Sequence, residues 1–367
     1  MQDLNAAHGA RLTIDVRKLV ANWRFLAEKV APAQCAAVIK ADAYGLGLER
    51  VARALVRAGA KTLFVAHLSE GVRARAVAKD VQIFILNGLA PDTEHLYPAY
   101  DLIPVLGSLP ELERWGAFCI AQNSHMPAAL HFDTGMNRHG FSLSEIAPVK
   151  AIAKYMNIQL ILSHFTQAEM PDVPQNARQM ADFAMLRGAF PDFALSLANS
   201  SGIFLKDRPY YDMVRPGYAL YGGNPTPYTQ NPMKDVISLS ATLRQIRQIE
   251  AGAQVGYGSL WTAKRPSRLG LLSLGYADGL PRAAKGTDAK TGAVFYIHGQ
   301  PCPVVGGISM DLTVIDVTDA PQAEAGSEVE IIGPHQSLDQ LGAAAGTIGY
   351  EILTRLGRRF ERTYLDI

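Results

Sequence analysis

Eight short apolar runs, each followed by a polar or glycine-bearing turn and then an amphipathic stretch, fill the first two-thirds of the chain. They are AAVIK (36–40), TLFVA (62–66), QIFIL (82–86), LIPVL (102–106), ALHFD (129–133), IQLILS (158–163), FALSLA (193–198) and YDMVR (211–215). Such alternation demands a parallel sheet with crossover helices, because parallel neighbours cannot be joined by a tight turn. Eight units close a ring, so the expected fold is α/β, a (β/α)8 TIM-type barrel; an open doubly wound sheet is the other arrangement the pattern allows. Helix signals lie between the runs. Residues 48–60 place Leu48, Val51 and Leu55 on one face, Ser108 and Glu111 have the spacing of a capping box, and 15–30 stacks Val16, Leu19, Val20, Trp23, Leu26, Ala27 and Val30 at helical intervals.

Beyond residue 232 the texture changes. ISLSATLRQIRQI alternates with period two, and AVFYIHGQPCPVV, LTVIDV and EVEIIG are short β runs broken by glycine and proline. A mostly β C-terminal domain is expected, with one late helix around 350–356. The proline-rich run NPTPYTQNPM (224–233) marks the boundary, giving a barrel over 11–232 and a β domain over 233–367, with the stretch 1–10 as a candidate strand of the latter.

Composition removes several function classes. Thirty-five basic against thirty-four acidic residues leave a net charge of +1, too little to hold nucleic acid or an anionic membrane by a summed field. No apolar run approaches 18 residues, and the start lacks a basic then apolar leader. Cys35, Cys119 and Cys302 are odd in number and widely spaced, which disfavours a disulfide framework or a cysteine metal site. The cytoplasm is the expected compartment, and no metal is expected.

Barrel enzymes work at the C-terminal ends of their strands. Lys40 ends the first run, where an apolar strand delivering an amine into a pocket lowers its pKa, the condition for a Schiff-base nucleophile. Arg138 follows the fifth run in a glycine-flanked loop, available to a ligand or to a structural pair with Asp133. His164 ends the sixth, where a packed histidine is equally allowed. The seventh and eighth end in ANSSG and VRPGYALYGG, whose small residues and backbone N–H groups suit a phosphate. A lysine at strand one opposite a phosphate cradle at strands seven and eight describes pyridoxal 5'-phosphate held as an imine. Arg215, beside that cradle, cannot give up its proton and would leave the pyridine nitrogen unprotonated, which suits racemisation better than transamination or elimination.

Eight motifs, VIKADAYGLG, DTGMNRHGF, SHFTQAE, ANSSG, VRPGYALYG, GYADGLPR, GISMD and GTIGYEILTRL, occur in this order along nearly the whole chain, and together they resemble the alanine racemase family. The resemblance implies a barrel plus β domain, a homodimer with shared active sites, and alanine as the small-molecule substrate. It further implies that Lys40 carries the cofactor, that Tyr44, Ser200, the Gly217 and Tyr218 amides and Tyr350 hold its phosphate, and that Asn199 also belongs to the cofactor site. By the same resemblance Arg215 faces the ring nitrogen, His164 orients Arg215, and Arg138 approaches the substrate carboxylate. Tyr276, contributed with Met310 by the partner subunit, becomes the second base. Two bases are needed because one base on one face returns the proton where it came from: Lys40 serves the D-alanine face and Tyr276 the L-alanine face. A phenol in that role needs cationic neighbours such as His164 and Arg215.

Three positions depart from the family pattern. His131 stands where many relatives carry a lysine that becomes carbamylated, Gly307 where arginine is frequent, and Ser196 where some have histidine. Other readings stay open at this point: a racemase that also takes serine, a non-catalytic cofactor-binding barrel, and a role in cell-wall D-alanine supply or in alanine catabolism. A barrel-type decarboxylase is disfavoured by Arg215 and by the absence of cysteine from GISMD.

Overall fold

The structure is a computed structural model that describes residues 9–366. Two compact units divide the chain. One holds Leu19–Leu220 with Asn224–Lys234; the other holds residues up to Lys18, Tyr221–Gly223 and residues from Asp235 on.

In the first unit, seven strands pair in sequence order and all in parallel: Ala37–Val38, Thr62–Val65, Gln82–Ile85, Ile103–Leu106, Pro127–His131, Asn157–Leu162 and Leu195–Ser196. Their middle residues are buried without alternation, as expected of strands covered on both faces. The eighth strand, Met213–Val214, pairs in parallel with Gln34–Cys35, immediately before the first run. Asp212 N and Arg215 N donate to Leu195 O and Ala198 O on the seventh strand at 3.0 and 2.9 Å, while Ala36 N and Val38 N donate to Val214 O and Pro216 O at 3.0 Å each. The ladder therefore returns to its start and the ring is closed. Helices Leu48–Ala58, Leu109–Ala121 and Pro174–Ala189 are the longer crossovers, and Val16–Val30 leads into the first strand.

The capping box expected at Ser108 takes a different form. Glu111 reaches back to Gly107 N at 2.9 Å rather than to the backbone of Ser108, and its other oxygen takes Leu89 N at 3.0 Å, tying the loop after the third strand to the end of the fourth. Leu109, not Glu111, opens the helix, so the carboxylate sits in its first turn, where the partial positive charge of the helix favours it.

The second unit is built on the thirteen-residue strand Ile237–Ile249. Its first half buries Ile237, Leu239, Ala241 and Leu243 in strict alternation. That half pairs antiparallel with Ala10–Asp15 and Glu328–Ile332, and after a register shift at Leu243/Gln245 the strand continues against Ser267–Leu272. Of the stretch 1–10 considered as a strand, residues 1–8 lie outside the described residues; the strand that joins this sheet is Ala10–Asp15. The run AVFYIHGQPCPVV forms the hairpin Val294–Ile297 and Gln300–Pro303, with His298 and Gly299 both at positive φ (51° and 78°), the turn whose twist matches its strands. One late helix was expected and two are present. Gly349–Arg355 covers the expected segment, and Leu338–Ala344 precedes it, opened by Ser337 and Gln340 in a reciprocal capping box. Among the described residues no helix is long and apolar enough to cross a membrane.

The proline-rich segment 224–233, read from sequence as a boundary, stays with the barrel unit. Asn22, 2% exposed on the Val16–Val30 helix, pins it. Its amide donates to Leu220 O at 3.2 Å and Lys234 O at 2.9 Å and accepts from Lys234 N at 2.8 Å. Removing a partner from buried backbone groups costs about 1–3 kcal/mol per group. Asn22→Leu should therefore lose about 3 kcal/mol in urea unfolding, and a loss below about 1 kcal/mol would show that the pin is dispensable.

Candidate active site at the barrel mouth

Lys40 does not end a strand. The first strand stops at Val38, and Lys40 opens a five-residue turn to Tyr44 in which Ala41, Asp42, Ala43 and Tyr44 all have φ of 54–55°. Four successive non-glycine residues in the left-handed region cost about 1–2 kcal/mol each, so the conformation persists only because its surroundings hold it. Backbone bonds Ala43 N to Ile39 O (2.9 Å), Gly45 N to Ala41 O (2.8 Å) and Gly47 N to Asp42 O (2.9 Å) close the turn. Burial, and next the charge of Arg138, lower the Lys40 amine below the usual lysine range, while Glu70 pulls the other way.

The turn abuts the loop after the eighth strand. A Cβ on Gly217 would lie 2.3 Å from Tyr44 Oη and 3.4 Å from Val38 Cβ, so glycine leaves room for the Tyr44 phenol against that loop, and a larger residue would have to displace it. Ser200 Oγ, buried after the seventh strand, accepts from Gly217 N at 3.0 Å and Ala219 N at 3.2 Å. Tyr44, Ser200, Gly217 and Tyr218 are thus gathered around one spot lined with backbone N–H groups and hydroxyls, which fits a phosphate. Asn199 is spent on its own loop, its Oδ1 taking Gly202 N at 2.9 Å.

Arg215 is 4% exposed. Its Nη1 donates to Ser196 O (2.8 Å) and Ser196 Oγ (2.5 Å), its Nη2 to Ser163 O (2.5 Å), and its guanidinium carbon lies 6.0 Å from the centre of the Phe64 ring. Burial pushes its pKa down to about 9, which still leaves a cation at neutral pH. The hydrogen bonds that orient it come from serines, not from His164 as the resemblance implied. Ser196, whose hydroxyl donates to Met213 O at 2.6 Å, is well suited to this, since a hydroxyl accepts from the guanidinium while it donates elsewhere. Burial, and then the charges of Arg215, Arg138 and Lys40, push His164 far below the usual histidine range. It is neutral at physiological pH and cannot be one of the cations expected to assist a phenol; Arg215 alone keeps that charge.

The pairing of Arg138 with Asp133 does not form. Asp133 Oδ1 accepts from Gly135 N and Met136 N, both at 2.8 Å, and so shapes the loop rather than neutralising the arginine. His131, 8% exposed, packs edge-on against His139 with ring centres 5.1 Å apart. Burial, then His139, Arg215 and Arg138, push His131 down to about 3.

The other expected residues belong to the β unit. Tyr276 and Met310 lie on loops zipped together by Tyr276 N to Ser309 O and Ala277 N to Met310 O, each 3.0 Å. Both side chains are exposed, by 41% and 54%. A Cβ on Gly275 would stand 2.3 Å from Met310 O, so the loops could not approach with any other residue there. Sequence reading missed what braces them: Asp278 caps Gly275 N at 2.8 Å, and Arg359 bridges Asp278 (3.1 Å) to Asp311 (2.8 Å). Tyr350 opens the helix Gly349–Arg355 of the same unit, and Gly307 precedes the Met310 loop.

Both buried histidines have folded pKa values below the unfolded one near 6.5. Their contribution to stability is whole above that value and is lost as pH falls, because the unfolded chain then binds protons the folded one refuses. His131→Asn should make the fall in unfolding free energy between pH 6 and 4 shallower by about 1.4 kcal/mol per pH unit. Parallel curves for the two proteins would mean that His131 is protonated in the fold.

The sequence profile of the alanine racemase N-terminal domain matches residues 14–225, and that of the C-terminal domain matches 236–364. An alanine racemase of Methylobacterium sp. (strain 4-46) is 53% identical over 363 residues, 98% of each chain. The crystal structure of alanine racemase from Bartonella henselae with covalently bound pyridoxal phosphate superposes with a TM-score of 0.92 at 41% identity, over 97% of this chain and 99% of that one. The biosynthetic alanine racemase of Pseudomonas aeruginosa does so at 0.89 and 32%, with the same coverages. With both domain profiles matched in order and with relatives of 53% and 41% identity matched almost end to end, the chain belongs to the alanine racemase family.

Proposed function

We propose that this chain interconverts L- and D-alanine with pyridoxal phosphate, using Lys40 on one face of the substrate and Tyr276 of a second copy of the chain on the other. The observation that carries this reading is the contact of the Lys40–Tyr44 turn with Gly217, beside the Ser200 cradle. When bound, the cofactor supplies an electron-withdrawing ring that acidifies the α-proton of an amino acid joined to it.

The remaining chemistry belongs to the protein. Gly217 and Tyr218, with Ser200 and Tyr44, would hold the phosphate. Arg215, a cationic donor fixed by Ser196 and Ser163, would face the ring nitrogen and leave it unprotonated, a condition that would favour simple proton return over transamination or elimination. Arg138, with no hydrogen bond or ion pair to the described residues, is available for the substrate carboxylate. Lys40, lowered below the usual lysine range by burial and by Arg138, gives up its proton more readily than a solvated lysine and so suits the role of base. Tyr276 returns a proton to the opposite face.

A homodimer with shared sites fits the large apolar side chains that the β unit exposes, among them Tyr257 at 77%, Met310 at 54% and Leu312 at 42%. Three buried free cysteines fit a reducing cytoplasm.

Borohydride should fix the cofactor onto Lys40; a peptide map that finds it on another lysine ends this assignment. D-amino-acid oxidase coupled assays across alanine and serine should show alanine turnover. In Tyr276→Phe, D-alanine in deuterated water should gain label with configuration kept, whereas equal loss of exchange from both enantiomers would make Tyr276 structural. Inactive Lys40→Ala and Tyr276→Phe chains, refolded together in equal amounts, should recover activity in about a quarter of pockets. Tag-verified mixed dimers as inactive as their parents would put both bases in one chain.

A further inference from the structure

Glu70 binds the lysine turn from outside. It sits in the first turn of the helix Leu68–Arg75, after the second strand. One carboxylate oxygen accepts Ala66 N at 2.9 Å and His67 N at 3.2 Å, which anchors it to the end of its own strand. The other accepts Asp42 N at 3.2 Å, in the middle of the left-handed turn. One helical turn on, Arg73 donates to Asp42 Oδ1 at 2.6 Å and to Glu49 Oε1 at 2.7 Å. Asp42 Oδ1 also takes Leu48 N, the first N–H of the helix Leu48–Ala58, at 3.2 Å.

Glu111 makes the same strap after the fourth strand, and the comparison isolates what is special here. Leu89, which Glu111 holds, follows a glycine that tolerates positive φ without cost. Asp42, which Glu70 holds, lies among four residues that do not tolerate it, directly after Lys40. The charges that act on the Lys40 amine are Arg138, which opposes its protonated form, and Glu70, which favours it; His164, also in its field, is neutral.

We propose that Glu70 is a positioning residue for racemisation: it holds the strained turn, and with it the place of the Lys40 amine, and its carboxylate offsets the field of Arg138 there. The proposal rests on Lys40 being the base for the D-alanine face.

Glu70→Gln removes the charge and keeps one acceptor oxygen, and the acceptor it loses on the other side is lost equally in Glu111→Gln, so the two variants differ in whether the charge lies beside Lys40. In the holoenzyme, the pH at which the visible cofactor band changes should move down by about half a unit or more. The acid limb of kcat/KM for D-alanine should move with it, since a lysine without that carboxylate gives up its proton at lower pH. Glu111→Gln, the same strap elsewhere, should leave both unmoved. In Glu70→Ala, addition of Ala41→Gly should restore melting temperature, because glycine accepts the turn without strain, yet leave the pH shift in place. Glu70→Gln with an unmoved band and an unmoved acid limb would overturn the proposal and leave Glu70 a structural strap. Borohydride mapping of the same samples separates that result from a failure of the premise, which would place the cofactor on a lysine other than Lys40.

Discussion

Closure of the ring is the constraint on which the site depends. Eight parallel strands can satisfy the edges of the first and last only by pairing them with each other, and here Gln34, Ala36 and Val38 take the carbonyls of Asp212, Val214 and Pro216. That ladder is what sets the residues after Val38 beside those after Val214. Gly217 then leaves room for the Tyr44 phenol, and the Lys40 turn and the Ser200 cradle become neighbours although they stand at opposite ends of the barrel sequence.

Electrostatically the barrel mouth is a set of positive groups kept apart by burial and hydrogen bonding. Arg215 remains charged because three serine-derived acceptors and the face of Phe64 replace its water. Close to so much fixed charge, and themselves desolvated, His131 and His164 stay neutral. A lysine here cannot be stabilised as an ammonium ion by its surroundings except through Glu70. On the proposed reading Lys40 has to lose and regain a proton, and burial set against one carboxylate suits an amine to that.

Much of the fold was legible because it follows from periodicity. Each of the eight apolar runs overlaps a barrel strand, since a strand covered on both faces is apolar throughout, and Ile237–Ile249 alternates because only one face is buried. The capped helix at Leu338–Ala344 was missed although Ser337 and Gln340 carry its signal, because the surrounding glycines and alanines read as loop. The lysine turn was recognisable as a dense turn, but not as left-handed. Alanine, aspartate, alanine and tyrosine have no local reason to adopt positive φ, and residues from another loop impose it.

What the sequence determined by itself was the list of parts: eight strands, a β domain, a lysine after the first strand, and small residues after the last two. These depend on side-chain size, polarity and spacing, which are local properties. Only the tertiary structure decided how the parts are held, because hydrogen-bond partners and electrostatic fields depend on distance in space. It gave Arg215 to Ser196 and Ser163 in place of His164, left Arg138 apart from Asp133, silenced two histidines by burial, and set Glu70 against the turn that carries Lys40.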